Sequence, residues 1–73
     1  MDVKVRCTLR DRRIMKGLTV RQLEAMSGVN RGLISRYEAT KTVMSIERAA
    51  YFAILLECRL DDLYDYETVA GDV

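Results

Sequence analysis

The stretch Thr19–Glu38, TVRQLEAMSGVNRGLISRYE, constrains what this 73-residue chain can fold into more than any other. Thr19 is a good helix N-cap, and Leu23 and Met26 recur behind it at helical spacing. Gly28 then stands where a helix must end on a left-handed residue. Val29 is an apolar plug, and Asn30 can cap a second helix. That helix places Leu33, Ile34 and Tyr37 on one face and Arg31, Ser35 and Arg36 on the other.

Two short helices joined by a tight glycine turn, the second cationic outside, match a DNA-reading helix-turn-helix. The stretch resembles the lambda-repressor-like (Cro/CI, or XRE) family. Leu18-Thr19, Leu23, Gly28-Val29-Asn30 and Ile34-Ser35-Arg36-Tyr37-Glu38 carry the resemblance, which runs from about Leu9 to Tyr64. The segment SIERAAYFAILLECRLDDLY also follows the family's pattern of a helix and a shorter one. The fold it implies is all-α: a compact five-helix bundle whose helices two and three form the helix-turn-helix.

Seventy-three residues make a single small domain, 1–73, with its core at about 8–66. The absence of proline and a weak strand signal fit a helical bundle. Met1 to Cys7 reads as a frayed start, with Val3 and Val5 as docking residues. A first helix is expected from about Leu9 to Lys16, with Thr8 as N-cap and Asp11 in a capping-box position. Gly17 ends it, and Leu9, Ile14 and the stem of Arg12 face inward. Helices two and three cover about Val20–Ser27 and Arg31–Ala39, and Thr40–Met44 is a loop. Ser45 caps a fourth helix, about Ile46–Glu57, with Ile46, Ala49, Ala50, Ala53 and Leu56 inward and Phe52 beside them. A fifth, about Leu60–Tyr64, closes the core with Leu60 and Leu63.

Net charge is only +1, but it is unevenly spread. Residues 1–42 hold ten Lys or Arg against four acids, a balance of +6, and residues 43–73 hold two against seven, −5. Such a split fits one face for nucleic acid and another held away from it.

The resemblance implies that Arg31 and Arg36 reach base edges. An arginine fork suits N7 and O6 of guanine, at roughly 1–3 kcal/mol of discrimination. Gly32 stands where relatives carry a contacting side chain, and here it permits only close backbone approach. Asn30 and Ser35 serve equally as caps, phosphate ligands or base readers. Thr19 and Arg21 flank a helix N-terminus that favours an anion, and Thr40, Lys41 and Thr42 stand where the family usually meets the DNA backbone. Val20 replaces a glutamine common in relatives, so one anchoring contact is missing. The family positions of Arg13 and Glu38 imply a largely buried ion pair. Glu24 replaces an alanine and must turn to solvent or find a cation.

In the family register Tyr51, Ile54 and Leu55 fall where relatives are often polar or small. With Leu60, Tyr64 and Tyr66 they are read as a homodimer or partner interface, or else as an enlarged core. Cys58 fits an apolar position.

These readings converge on a sequence-specific DNA-binding transcriptional regulator, a repressor. It would read double-stranded DNA with residues 30–39 as a homodimer whose half-site centres lie about 34 Å apart. The alternative is an antitoxin-like protein-interaction module using the helix four–five surface. An enzyme is disfavoured: there is no histidine, metal cluster, phosphate loop or nucleophile with a base. No cofactor, metal or small-molecule ligand is expected. Neither a signal nor a membrane span is evident, so reduced Cys7 and Cys58 and a cytoplasmic location are expected.

Overall fold

The computed structural model describes residues 2–69. In chain order these form strand β1 (Asp2–Cys7), helices α1 (Leu9–Met15), α2 (Val20–Ser27), α3 (Arg31–Glu38) and α4 (Ile46–Leu55), a 3-10 helix (Leu60–Leu63) and strand β2 (Tyr64–Val69). The expected five-helix, all-α bundle is therefore wrong. Among the described residues there are four α-helices with a two-stranded antiparallel sheet, a mixed α/β fold.

The segment expected to be frayed is a strand because DVKVRC alternates with period two and YDYETV answers it. Val3 pairs with Thr68, Val5 with Tyr66 and Cys7 with Tyr64 on one face, while Lys4 meets Glu67 and Arg6 meets Asp65 on the other. Opposite charges directly across the ladder favour this register. The Arg6 guanidinium donates to Asp65 Oδ2 at 3.2 Å and lies 3.7 Å from Asp11.

The ribbon joins the helices at Thr8. Its amide donates to the Leu63 carbonyl (2.8 Å) and its hydroxyl to the Asp62 carbonyl (2.6 Å). Thr8 stands at the N-cap of α1, but its backbone (φ −108°, ψ 16°) is not in the extended cap conformation and its hydroxyl makes no capping bond, so the expected Thr8–Asp11 capping box does not form. The last expected helix is shortened to a 3-10 turn, because Tyr64 is extended and begins β2.

Leu9, Leu23, Ile34, Phe52 and Leu63 are fully enclosed at the centre, and the Tyr37 ring meets Phe52 edge-on at 6.3 Å. Ala49 and Ala53 complete the inner stripe of α4, and Leu56 at its C-cap is buried beside them. Three residues expected inward are exposed, Ile14, Ile46 (73% exposed) and Leu60, and so is Met26, which recurs with Leu23 at helical spacing. On α1 the inward position four residues after Leu9 is Arg13, which leaves Ile14 turned away. On α2 the inner stripe runs through Val20, Leu23, Glu24 and Ser27, so Met26 falls on the flank. Ile46 is the first residue of α4, above the layer that Ala49 and Phe52 fill.

Candidate nucleic-acid interface

The helix-turn-helix is set by local hydrogen bonds. Thr19 Oγ1 accepts from the Gln22 amide (3.1 Å), and the Thr19 amide donates to Gln22 Oε1 (2.7 Å), a complete capping box. Gln22 was not singled out in the sequence, although the T-x-x-Q spacing is the signal for it. Gly28 ends α2 at φ +75°, and a side chain there would meet open space, so glycine is needed for the backbone angle alone. Val29 is buried and Asn30 Oδ1 accepts from the Gly32 amide at 2.7 Å, starting α3. A Cβ at Gly32 would lie 3.0 Å from that oxygen, so glycine also leaves the cap undisturbed.

Leu33, Ile34 and Tyr37 turn α3 onto the body, which leaves Asn30, Arg31, Gly32, Ser35 and Arg36 exposed along its outer side. Arg36 Nε donates to Thr42 Oγ1 at 3.0 Å, and no carboxylate among the described residues pairs with Arg36. Arg31 differs. Its amide donates to Glu24 Oε2 (2.9 Å), and its Nε lies 3.4 Å from Glu24 Oε1. Glu24 therefore finds a cation, at the start of α3.

The expected phosphate ligands separate into two groups. Arg21 and Lys41 are exposed, with no ion-pair partner among the described residues, and Thr19 keeps its hydroxyl proton free to donate. Thr40 and Thr42 also accept bonds from within the chain, and like Thr19 they keep a hydroxyl proton free to donate. Thr40 adopts φ +59° and accepts the Cys7 amide on Oγ1 (3.0 Å), tying β1 to the end of α3, and Thr42 receives Arg36. Arg10 was missed by sequence reasoning. It shares a hollow with Arg13, Ser35, Glu38 and Ala39, and no carboxylate pairs with it among the described residues. Nothing local in the sequence reveals this, because only the packing of α1 beside α3 brings Arg10 next to Ser35.

Beneath this face Arg13 donates from Nε to Glu38 Oε2 (2.8 Å) and from Nη2 to Glu38 Oε1 (3.2 Å), while Nη1 reaches the Leu18 carbonyl (2.8 Å). The two side chains are only 11% and 10% exposed. Such a bidentate pair clamps α1, the α1–α2 turn and α3 together.

The six residues read as an interface do not share one helical face. Ile54 is 76% exposed and Tyr66 is 77% exposed, but Tyr66 lies on β2. Tyr51 donates its hydroxyl to the Ser27 carbonyl (2.9 Å), and the Tyr64 hydroxyl accepts the Met44 amide (3.1 Å). Leu55 and Tyr64 pack against the core, and Leu60 is partly exposed. Burial pushes the thiols of Cys7 and Cys58 and the Tyr64 phenol above their ordinary titration ranges. Among the described residues no cluster of His, Cys, Asp or Glu is arranged to hold a metal, and no helix is long and apolar enough to cross a membrane.

No curated protein matches the chain. The helix-turn-helix family model matches residues 9–63, from the first residue of α1 to the last of the 3-10 helix. That match covers most of the chain and contains the whole α2–α3 arrangement, and the chain belongs to the lambda-repressor-like (XRE) helix-turn-helix family of DNA-binding regulators.

Proposed function

We propose that this single domain is a sequence-specific repressor that lays α3 in the major groove of DNA. Arg36 and Arg31 contact base edges, Asn30 and Ser35 assist, and Gly32 permits close approach. Thr19, Arg21 and Lys41 grip phosphates on either side, with Arg10 added from α1. Thr40 and Thr42 hold the loop that carries Lys41 and offer their hydroxyl protons to the DNA backbone. Binding as a homodimer to a roughly palindromic operator, in the cytoplasm, completes the proposal. The observation that carries it is the exposed outer side of α3, where Arg36 has no acidic partner among the described residues.

Selection of bound sequences from random duplexes tests the reading. Arg36→Ala relaxes preference at one defined base pair, whereas Lys41→Ala weakens all duplexes alike and lowers the salt dependence. Uniform weakening by both variants overturns the assignment of readers. The exposed Ile54 also leaves room for an antitoxin-like partner on the α4 surface. Stoichiometric recovery of one foreign protein, insensitive to salt, would favour that second reading.

A further inference from the structure

The β1–β2 ribbon leaves two strand edges, and they differ in what they offer a second copy of this chain. The phase of the ladder follows from its inner end. Thr8 donates its amide to Leu63, toward the β2 side, whereas Cys7 donates to Thr40, away from it. Antiparallel alternation then turns the backbone groups of Val5 and Val3 outward along the β1 edge. On β2 the outward groups belong to Tyr64, Tyr66 and Thr68.

Self-pairing of the two edges has opposite electrostatic consequences. When β2 pairs with its copy so that outward groups meet, Asp65 faces Glu67, or one of them faces itself. Acid meets acid in each of these three registers, which is unfavourable, and only end-on registers with Tyr64 or Thr68 at the axis, which pair few residues, avoid it. When β1 pairs with its copy so that Val3 exchanges hydrogen bonds with Val5, Asp2 of each chain faces Arg6 of the other. Lys4 meets its own copy at the two-fold axis, a like-charge contact that is itself unfavourable but is offset by Glu67 beside each lysine on the ladder. The edge therefore offers four main-chain hydrogen bonds, two opposite-charge pairs and a strip of exposed valines.

We propose that the protein self-associates through β1, giving a four-stranded sheet in the order β2–β1–β1–β2 across two chains. This deepens the dimeric DNA-reading proposal and rests on it, but it moves the interface from α4 to the ribbon. Thr40 ties the end of α3 to Cys7, and in this register Cys7 and its copy are six residues apart along the strands, about 20 Å.

The test is sedimentation equilibrium of the whole chain without DNA, from about 10 μM to 1 mM. The wild type dimerises reversibly. Val5→Pro removes an outward amide while leaving the ladder to β2 intact, and it weakens dimerisation roughly tenfold or more. Ile54→Glu, on the exposed side of α4, leaves dimerisation unchanged. As a second measurement, Lys4→Cys in a Cys58→Ser background forms an intermolecular disulfide under mild oxidation, and Ile54→Cys does not. A wild type that stays monomeric, a Val5→Pro variant that dimerises normally, or loss of the dimer in Ile54→Glu overturns the proposal. Binding to a single half-site duplex is measured in parallel. Intact half-site binding by a monomer refutes only the interface, whereas absence of binding to any duplex at low salt refutes the DNA reading itself.

Discussion

Glu24 and Arg31 face each other across the turn of the helix-turn-helix. One carboxylate oxygen accepts the Arg31 amide at 2.9 Å and the other lies 3.4 Å from its Nε. An acid thus stands beside a candidate base reader, at the helix start where a DNA phosphate would also approach. Both side chains are substantially exposed, so the pair is screened and weak. Glu24→Gln keeps an oxygen for the Arg31 amide and removes the charge. It should tighten binding to all duplexes by roughly two- to fivefold at low salt. Fluorescence anisotropy on matched and scrambled duplexes checks this, and weaker binding to the matched duplex would show that Glu24 positions Arg31 instead of restraining it.

The Arg13–Glu38 pair makes a different prediction, because both groups are nearly enclosed and two hydrogen bonds join them. Replacing either alone by alanine leaves a charge buried without its partner, at about 3–5 kcal/mol. For a domain of this size each kcal/mol moves the melting temperature by roughly 4–8 °C. Arg13→Ala and Glu38→Ala should therefore be largely unfolded near 37 °C by circular dichroism, while Arg13→Met with Glu38→Leu recovers much of the loss. Equal loss in the double variant would contradict the ion-pair account.

The legible part of this fold is the part specified locally. Thr19, Gly28 and Asn30 each act on backbone within four residues of themselves, and so the α2–turn–α3 unit could be read from spacing. The ribbon could not be read in that way. Arg6 and Asp65 are 59 residues apart, and a six-residue alternation shows no strand until its partner is identified. Thr8 is the N-cap residue of α1 as its spacing indicates, but its hydroxyl serves the distant Asp62 carbonyl and the capping box is not made. The Arg13–Glu38 assignment came from family resemblance, since spacing alone does not bring α1 to the end of α3. Arg10 escaped notice because its place beside Ser35 is created by that same packing.

Exposure of Ile14 and Ile46 corrects the expected core and can be checked directly. Ile46→Lys and Ile14→Lys should each alter stability by less than about 0.5 kcal/mol. Leu9→Ala, at a fully enclosed position, should cost about 2–5 kcal/mol. Urea titrations separate the two outcomes. A large loss in Ile46→Lys would mean that the first turn of α4 packs against something, such as a second copy.

Stability should fall at alkaline pH, because three groups that gain charge on deprotonation are partly withdrawn from water. Burial is the largest cause of the raised thiol titration at Cys7, opposed by a hydrogen bond involving the Leu9 backbone. Burial likewise dominates at Cys58 and at Tyr64. Below the ordinary thiol value of 9.0 these groups are protonated in both folded and unfolded chains, and their contribution is fully present. As pH rises further the unfolded chain releases protons first and so binds fewer than the folded one, which lowers stability through the folded titration points. Thermal melts should therefore decline from about pH 9 upward, with a second decline when Tyr64 titrates. Cys7→Ala should lower the melting temperature at neutral pH by removing a core contact, yet flatten the first part of the decline. Tyr64→Phe should flatten the second part and lose the bond from the Met44 amide, at about 1 kcal/mol. If melts of the wild type and Cys7→Ala fall in parallel between pH 8 and about pH 10, the buried thiol is not the source of the alkaline instability.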